Sequence, residues 1–201
     1  MAVGIDIDGI SFTEQALLHR PDHAAVLGRI FTSWSLIETT VAGLLGLMMH
    51  ADHRAALAIL GTFKTNSSRV NAVKKVGRVM LEPPLQSKFD ALMKAVLAYA
   101  EERNAIAHNL WGVKADEPDV VYRMPMSAIS DLLVEAPHKV PFNAEETVAS
   151  FTKQMTPFTV QDLEAIEQRG RNILTRIMNE TTQKVYSRTF ENSSLTGSCS
   201  A

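Results

Sequence analysis

The sequence predicts an all-α protein, a bundle of four to five helices with an irregular insertion at about 113–157 before the last one. Three observations predict it. The eight prolines leave 22–82, 85–117 and 158–201 free of that residue and place five of their number in 118–157. Proline is excluded from helix interiors, so long helices belong in the free stretches. There, apolar residues recur at three- and four-residue steps, and residues that cap helix N-termini stand where the steps begin.

The first helix begins at Pro21–Asp22, with proline in the first turn and an acid at the positive end of the helix dipole. Its stripe runs Leu27, Phe31, Trp34, Val41, Leu45, Met48, and Ile30, Ile37 and Leu44 widen it. A short second helix, roughly 53–60, stops at Gly61. Thr65, Asn66 and Ser67 are good N-caps for a third, which carries Val70, Val73, Val76 and Met80 and ends at Pro83–Pro84. The fourth has the clearest pattern, Leu85, Phe89, Leu92, Val96, Tyr99, Ile106 and Leu110, with Gly112 as its stop. Residues 113–157 are expected to connect, holding a small hairpin near Val120-Val121-Tyr122 and a short helix. Thr159 with Asp162 resembles a capping box, opening a last helix through Leu163, Ile166, Ile173 and Ile177. Residues 1–186 read as a single helical domain and the serine-rich 187–201 as a disordered tail.

At 201 residues the chain is long enough to bury about 70% of its unfolded surface. Its 46% hydrophobic and 21% charged content excludes a disordered or fibrous chain. A formal charge of −2 gives no global basic field, so any nucleic-acid site must be local. Cys199, the sole cysteine, excludes a disulfide framework and a cysteine metal cluster. The acidic N-terminus has no basic region before an apolar stretch, unlike a secretory signal. The longest apolar-or-glycine run, Val41 to Met49, falls short of the ~20 residues a bilayer requires. A soluble, cytoplasmic protein with no membrane partner is expected.

Two charges interrupt the stripes. Glu38 stands in the middle of the first helix's apolar series and Arg103 in that of the fourth. A charge on a core stripe is costly unless paired and hydrogen-bonded, so each should find the other or another charged partner. On these two residues alone the structural reading is preferred over a functional site: an ion pair between helices, or an arginine whose stem packs while its head reaches water. Five residues after Arg103 comes His108, with Asn104 one helical turn before the histidine. A permanent guanidinium beside an imidazole that titrates near neutrality suits phosphodiester chemistry, the one neutralising phosphate and the other moving a proton.

The series Arg103-Asn104-x-x-x-His108 on a late helix resembles the motif of the HEPN domain (higher eukaryotes and prokaryotes nucleotide-binding), in its short Arg-x4-His form with a polar residue after the arginine. The resemblance covers 22–112 and extends to 158–186. It implies a metal-independent endoribonuclease, without cofactor, assembled as a homodimer whose two motifs line one cleft, in a toxin or defence setting with an antitoxin partner. On that reading His108 is the general acid or base, Arg103 holds the scissile phosphate, and Asn104 orients the histidine or bonds the phosphate. Glu38 would hold Arg103 in place, a role that comes from the stripe and not from the motif. The alternative is a catalytically inactive HEPN-like binding or scaffold module; a ligand-binding bundle without chemistry is a third reading.

Between Asp52 and Glu82 there are six basic residues and no acid. Of these Lys64, Arg69, Lys74, Lys75 and Arg78 are the RNA-binding candidates. The same run is equally read as a solvated helix face, or as a surface for the acidic 115–146 of a second chain. His50 and His53 lack a third ligand, Pro137 spoils the Glu135-x-x-His138 spacing, and His19 and His23 straddle Pro21. No metal site is expected. Trp34 and Trp111 read as packing residues.

Overall fold

The computed structural model describes residues 4–135 and 144–182. The predicted helices are present: α1 (Pro21–Met49), α2 (His53–Gly61), α3 (Asn66–Met80), α4 (Pro83–Ala107) and α7 (Val160–Arg176), the last running into a π-helical turn at Ile177–Thr182. The caps expected for α3 and α7 are present. The Thr65 side chain accepts the Ser68 N–H, and Thr159 and Asp162 bond reciprocally as a capping box. The hydroxyl and amide of Thr159 hold the Asp162 carboxyl below its usual range. Asp52 caps α2 by accepting the Arg54 N–H at 2.6 Å. α1 ends at His50, whose φ of +53° is left-handed. Among the described helices α1 is the one long and apolar enough by composition to cross a membrane, and half of its most apolar window is buried within the protein.

The all-α expectation is overturned by a five-stranded antiparallel sheet in the order β1-β2-β3-β4-β5. Its strands are β1 (Gly4–Ile7), β2 (Ile10–Thr13), β3 (Leu110–Lys114), β4 (Val121–Met124) and β5 (Thr156–Phe158). A 3-10 turn, Ala16–His19, leads from β2 towards α1. The hairpin β1–β2 turns on Asp8-Gly9, whose φ angles of 57° and 74° match the twist of paired antiparallel strands. The pairing of β2 with β3 links segments separated by four helices, which local periodicity cannot reveal. The 113–157 segment is no irregular insertion: it supplies β4, α5 (Met126–Glu135), α6 (Ala144–Thr152) and β5. Gly112, read as a helix stop, lies inside β3, where a Cβ would come within 2.7 Å of the Phe12 ring and 2.8 Å of Ile10. The disordered-tail expectation for 187–201, Cys199 and His138 lie outside the described residues.

Packing divides the chain into two compact units, Met1–Phe31 with Glu102–Glu167 and Thr32–Glu101 with Gln168–Ala201. In the first, one sheet face (Ile7, Ile10, Phe12, Met124) packs with Ala128 and Ile129 of α5, Phe151 of α6 and Met155. Side chains alternate across a strand, so Trp111, Arg123 and Thr156, which pair across β3, β4 and β5, share the opposite face. Arg20 ties α1's start to the sheet by donating to the carbonyls of Lys114 and Glu117. In the second unit Trp34, Ile37, Leu45, Phe89, Leu92 and Tyr99 are buried. The Trp34 and Tyr99 rings meet at 6.2 Å. Any side chain at Gly77 would collide with the Phe89 ring, so glycine sets how closely α3 approaches α4.

Candidate functional site

The motif lies where α4 ends, within the first unit. The helix ends at Ala107, three residues before the predicted stripe does, and two of its last carbonyls are satisfied, one by the helical ladder and one by a side chain. The His108 N–H takes the Asn104 carbonyl at 3.0 Å, and the Trp111 indole N–H takes that of Ile106 at 3.2 Å. Trp111 can reach back because it has entered β3. His108 therefore stands at the junction between helix and strand, one position past the last helical residue, with its side chain exposed.

Arg103 is half-buried, and its guanidinium carbon sits 5.1 Å from the centroid of the Phe31 ring. One terminal nitrogen, Nη1, donates to Asn104 Oδ1 at 3.2 Å. Its Nε is buried without a partner. Among the described residues Arg103 makes no ion pair. The cation is held by a ring quadrupole and an amide oxygen, neither of which neutralises it. The structure thus brings Arg103 and Asn104 into contact through their side chains, and Asn104 and His108 through the backbone.

A second arginine repeats the pattern. Arg123 of β4 lies 5.1 Å from the Phe158 ring centroid, with a buried, unpartnered Nε, and pairs across the sheet with Trp111. Trp111 in turn meets Phe158 edge-on at 5.8 Å. Sequence reasoning missed Arg123, Phe158 and the role of Phe31. Phe31 sat on an apolar stripe and read as core, and Arg123 becomes meaningful only once β3 and β4 are paired. Beside Asn109 a cavity of about 430 Å³ opens among Phe12, Glu14, Leu17 and Trp111.

The other predicted residues are placed as follows. Glu38 pairs with Arg69 of α3 at 3.0 Å, and the two side chains are 38% and 36% exposed, so this is a half-solvated pair and not a buried one. Lys74 and Arg78 both reach Asp90 of α4, at 3.9 and 2.9 Å. Three of the five RNA-binding candidates are thereby occupied by acids, while Lys64 and Lys75 are exposed. His23 is buried with an unpartnered Nε2, and His19, His50 and His53 are exposed. Among the described residues no three His, Cys, Asp or Glu side chains gather as a metal site would require.

Near the same sheet, Tyr122 donates its hydroxyl to Glu117, which also receives Lys114. The bond to Glu117 pushes the Tyr122 phenol up to about 12, and the phenol and Lys114 together lower the Glu117 carboxyl. Comparison with protein-family models, with curated proteins and with solved structures finds no match.

Proposed function

We propose that the chain is an endoribonuclease that works without a metal, as a homodimer. The observation that carries the reading is the guanidinium of Arg103, clamped by Phe31 and Asn104, left without a carboxylate among the described residues, and followed five residues later by an exposed histidine. A desolvated arginine with an unused donor is suited to a phosphate oxygen, which supplies charge and acceptor together. Arg123, held in the same way, offers a second phosphate contact. The cavity beside Asn109 and Trp111 offers an apolar wall to a base.

In the reaction the ribose 2′-oxygen attacks the adjacent phosphorus while His108 takes its proton. The new P–O2′ bond forms as the P–O5′ bond breaks, and the imidazolium of the second copy returns a proton to the leaving oxygen. Arg103 stabilises the charge that gathers on the non-bridging oxygens. The products are a 2′,3′-cyclic phosphate and a 5′-hydroxyl, and DNA, lacking the nucleophile, is spared. A binding module without catalysis is the second reading. It is favoured by the Phe31 stack and the Trp111 bond, which give Arg103 and the end of α4 a structural role of their own.

The test is cleavage of end-labelled RNA by purified protein in excess chelator. His108→Ala should lower the rate by about 10²–10⁴-fold with an unchanged melting curve, and sizing should give twice 22.1 kDa. Persistent cleavage by His108→Ala, a requirement for added divalent cation, or cleavage of an all-deoxy substrate would each refute the mechanism. Tight RNA binding without cleavage would establish the second reading.

A further inference from the structure

The second unit contains a cavity of its own, about 320 Å³, at the low end of the range for small-molecule sites. Its apolar walls are Trp34 of α1, Leu57 and Leu60 of α2, and Val70 of α3. Two charged residues line the same space, Glu38 and Arg69. Their pairing leaves a defined remainder. Glu38 Oε1 accepts from Arg69 Nη1, and Arg69 Nε donates to the Phe63 carbonyl at 3.2 Å. Glu38 Oε2 and Arg69 Nη2 have no partner among the described residues. One acceptor and one donor therefore remain, on side chains already joined to each other.

We infer that this cavity binds a small neutral ligand with a flat apolar body and an amide or lactam edge, whose N–H donates to Glu38 and whose carbonyl accepts from Arg69. The choice of a neutral head follows from charge. Glu38 and Arg69 together sum to zero, so an anionic head attracted to Arg69 meets the carboxylate beside it, and a cationic head meets the guanidinium. An amide satisfies both groups and leaves the pair intact. The indole of Trp34, buried against Tyr99, gives the flat body a rigid wall. This also gives a reason for an acid on an apolar stripe, since a pair so open to solvent contributes little to the fold. The inference does not rest on the ribonuclease reading.

Three isosteric probes test it on the full chain by titration calorimetry: 2-naphthamide, 2-naphthoate and 2-naphthamidine. The amide should bind about tenfold tighter than either charged analogue, as expected for one well-formed donor–acceptor pair. Glu38→Ala should remove that preference while the chain stays folded, its melting temperature moving by no more than about 4 °C. Leu57→Trp, at a position 42% exposed, should block all three probes by filling the cavity. Equal binding of the three that survives Glu38→Ala would show an apolar hole without polar recognition and overturn the proposal. Preference for the anion or the cation, or no binding of any probe at millimolar concentration, would overturn it as well.

Discussion

Arg69 and Arg103 carry the same charge on neighbouring helices of the sequence, α3 and α4, and the protein accommodates them in opposite ways. Arg69 gives Nη1 to a carboxylate and Nε to a carbonyl, with Nη2 left over. Arg103 receives a phenyl ring and an amide oxygen, and its Nε receives nothing. The first arrangement is neutral and complete in its charge. The second leaves a full positive charge in a partly desolvated place, a state that costs free energy unless an anion arrives to use it. A cation positioned without being neutralised is what a phosphate-handling site needs, and one already neutralised is suited to an uncharged ligand.

The sharpest way to break this contrast is substitution by lysine. Lysine keeps the charge but loses the planar stack and the fork of donors. Arg103→Lys should lower RNA cleavage by roughly 10²-fold, comparable to removing a transition-state donor, while Arg69→Lys leaves it within about twofold; kcat/KM on a defined oligonucleotide decides. Equal losses in the two variants would erase the distinction.

Next in size is the cost of removing each arginine's partner. Phe31→Ala should destabilise by roughly 1–3 kcal/mol, from lost burial and the lost cation–π contact. Glu38→Ala should cost no more than about 1 kcal/mol, because its pair is more than a third exposed on both sides. The stripe alone suggests a far larger penalty for Glu38, as for a buried pair. Denaturant titration of the two variants ranks them, and a Glu38→Ala cost above that of Phe31→Ala would reverse the ranking.

The smallest effect concerns a third mode of accommodation, in which Glu117 is held by the phenol of Tyr122 together with Lys114. The folded phenol is raised above its ordinary value near 10, to about 12. Its contribution to stability is therefore full below pH 10 and fades as pH rises through about 12. Ultraviolet titration of the folded protein should show Tyr122 ionising late, and Glu117→Gln should bring that step down. An unmoved step would mean that Glu117 is not its cause.

The helices were legible because their evidence is local. Thr65 and the Thr159–Asp162 pair cap where they do for reasons contained within four residues, and the stripe of α4 lies within one continuous stretch. The sheet was not legible because β2 and β3 meet across about a hundred residues, and among the described residues no strand is longer than five. One signal was nevertheless present. Asp8-Gly9, flanked by Ile5, Ile7, Ile10 and Phe12, has the turn dipeptide and the two-residue alternation of a hairpin. The motif at Arg103, Asn104 and His108 was visible as spacing, whereas the ring beneath Arg103 was not, since periodicity marks Phe31 as apolar without saying what it touches. Glu38 was rightly singled out as anomalous, but its partner on α3 could not be named from the stripe alone.

The two outer strands of the sheet differ in what they offer to another chain. β5 is three residues long and has Pro157 at its centre, opposite Tyr122, so it lacks the central amide that an added strand would need. β1 has four residues, Gly4–Ile7, none of them proline. The two borders therefore differ chemically: proline removes a main-chain donor from the middle of β5, whereas every residue of β1 keeps its own.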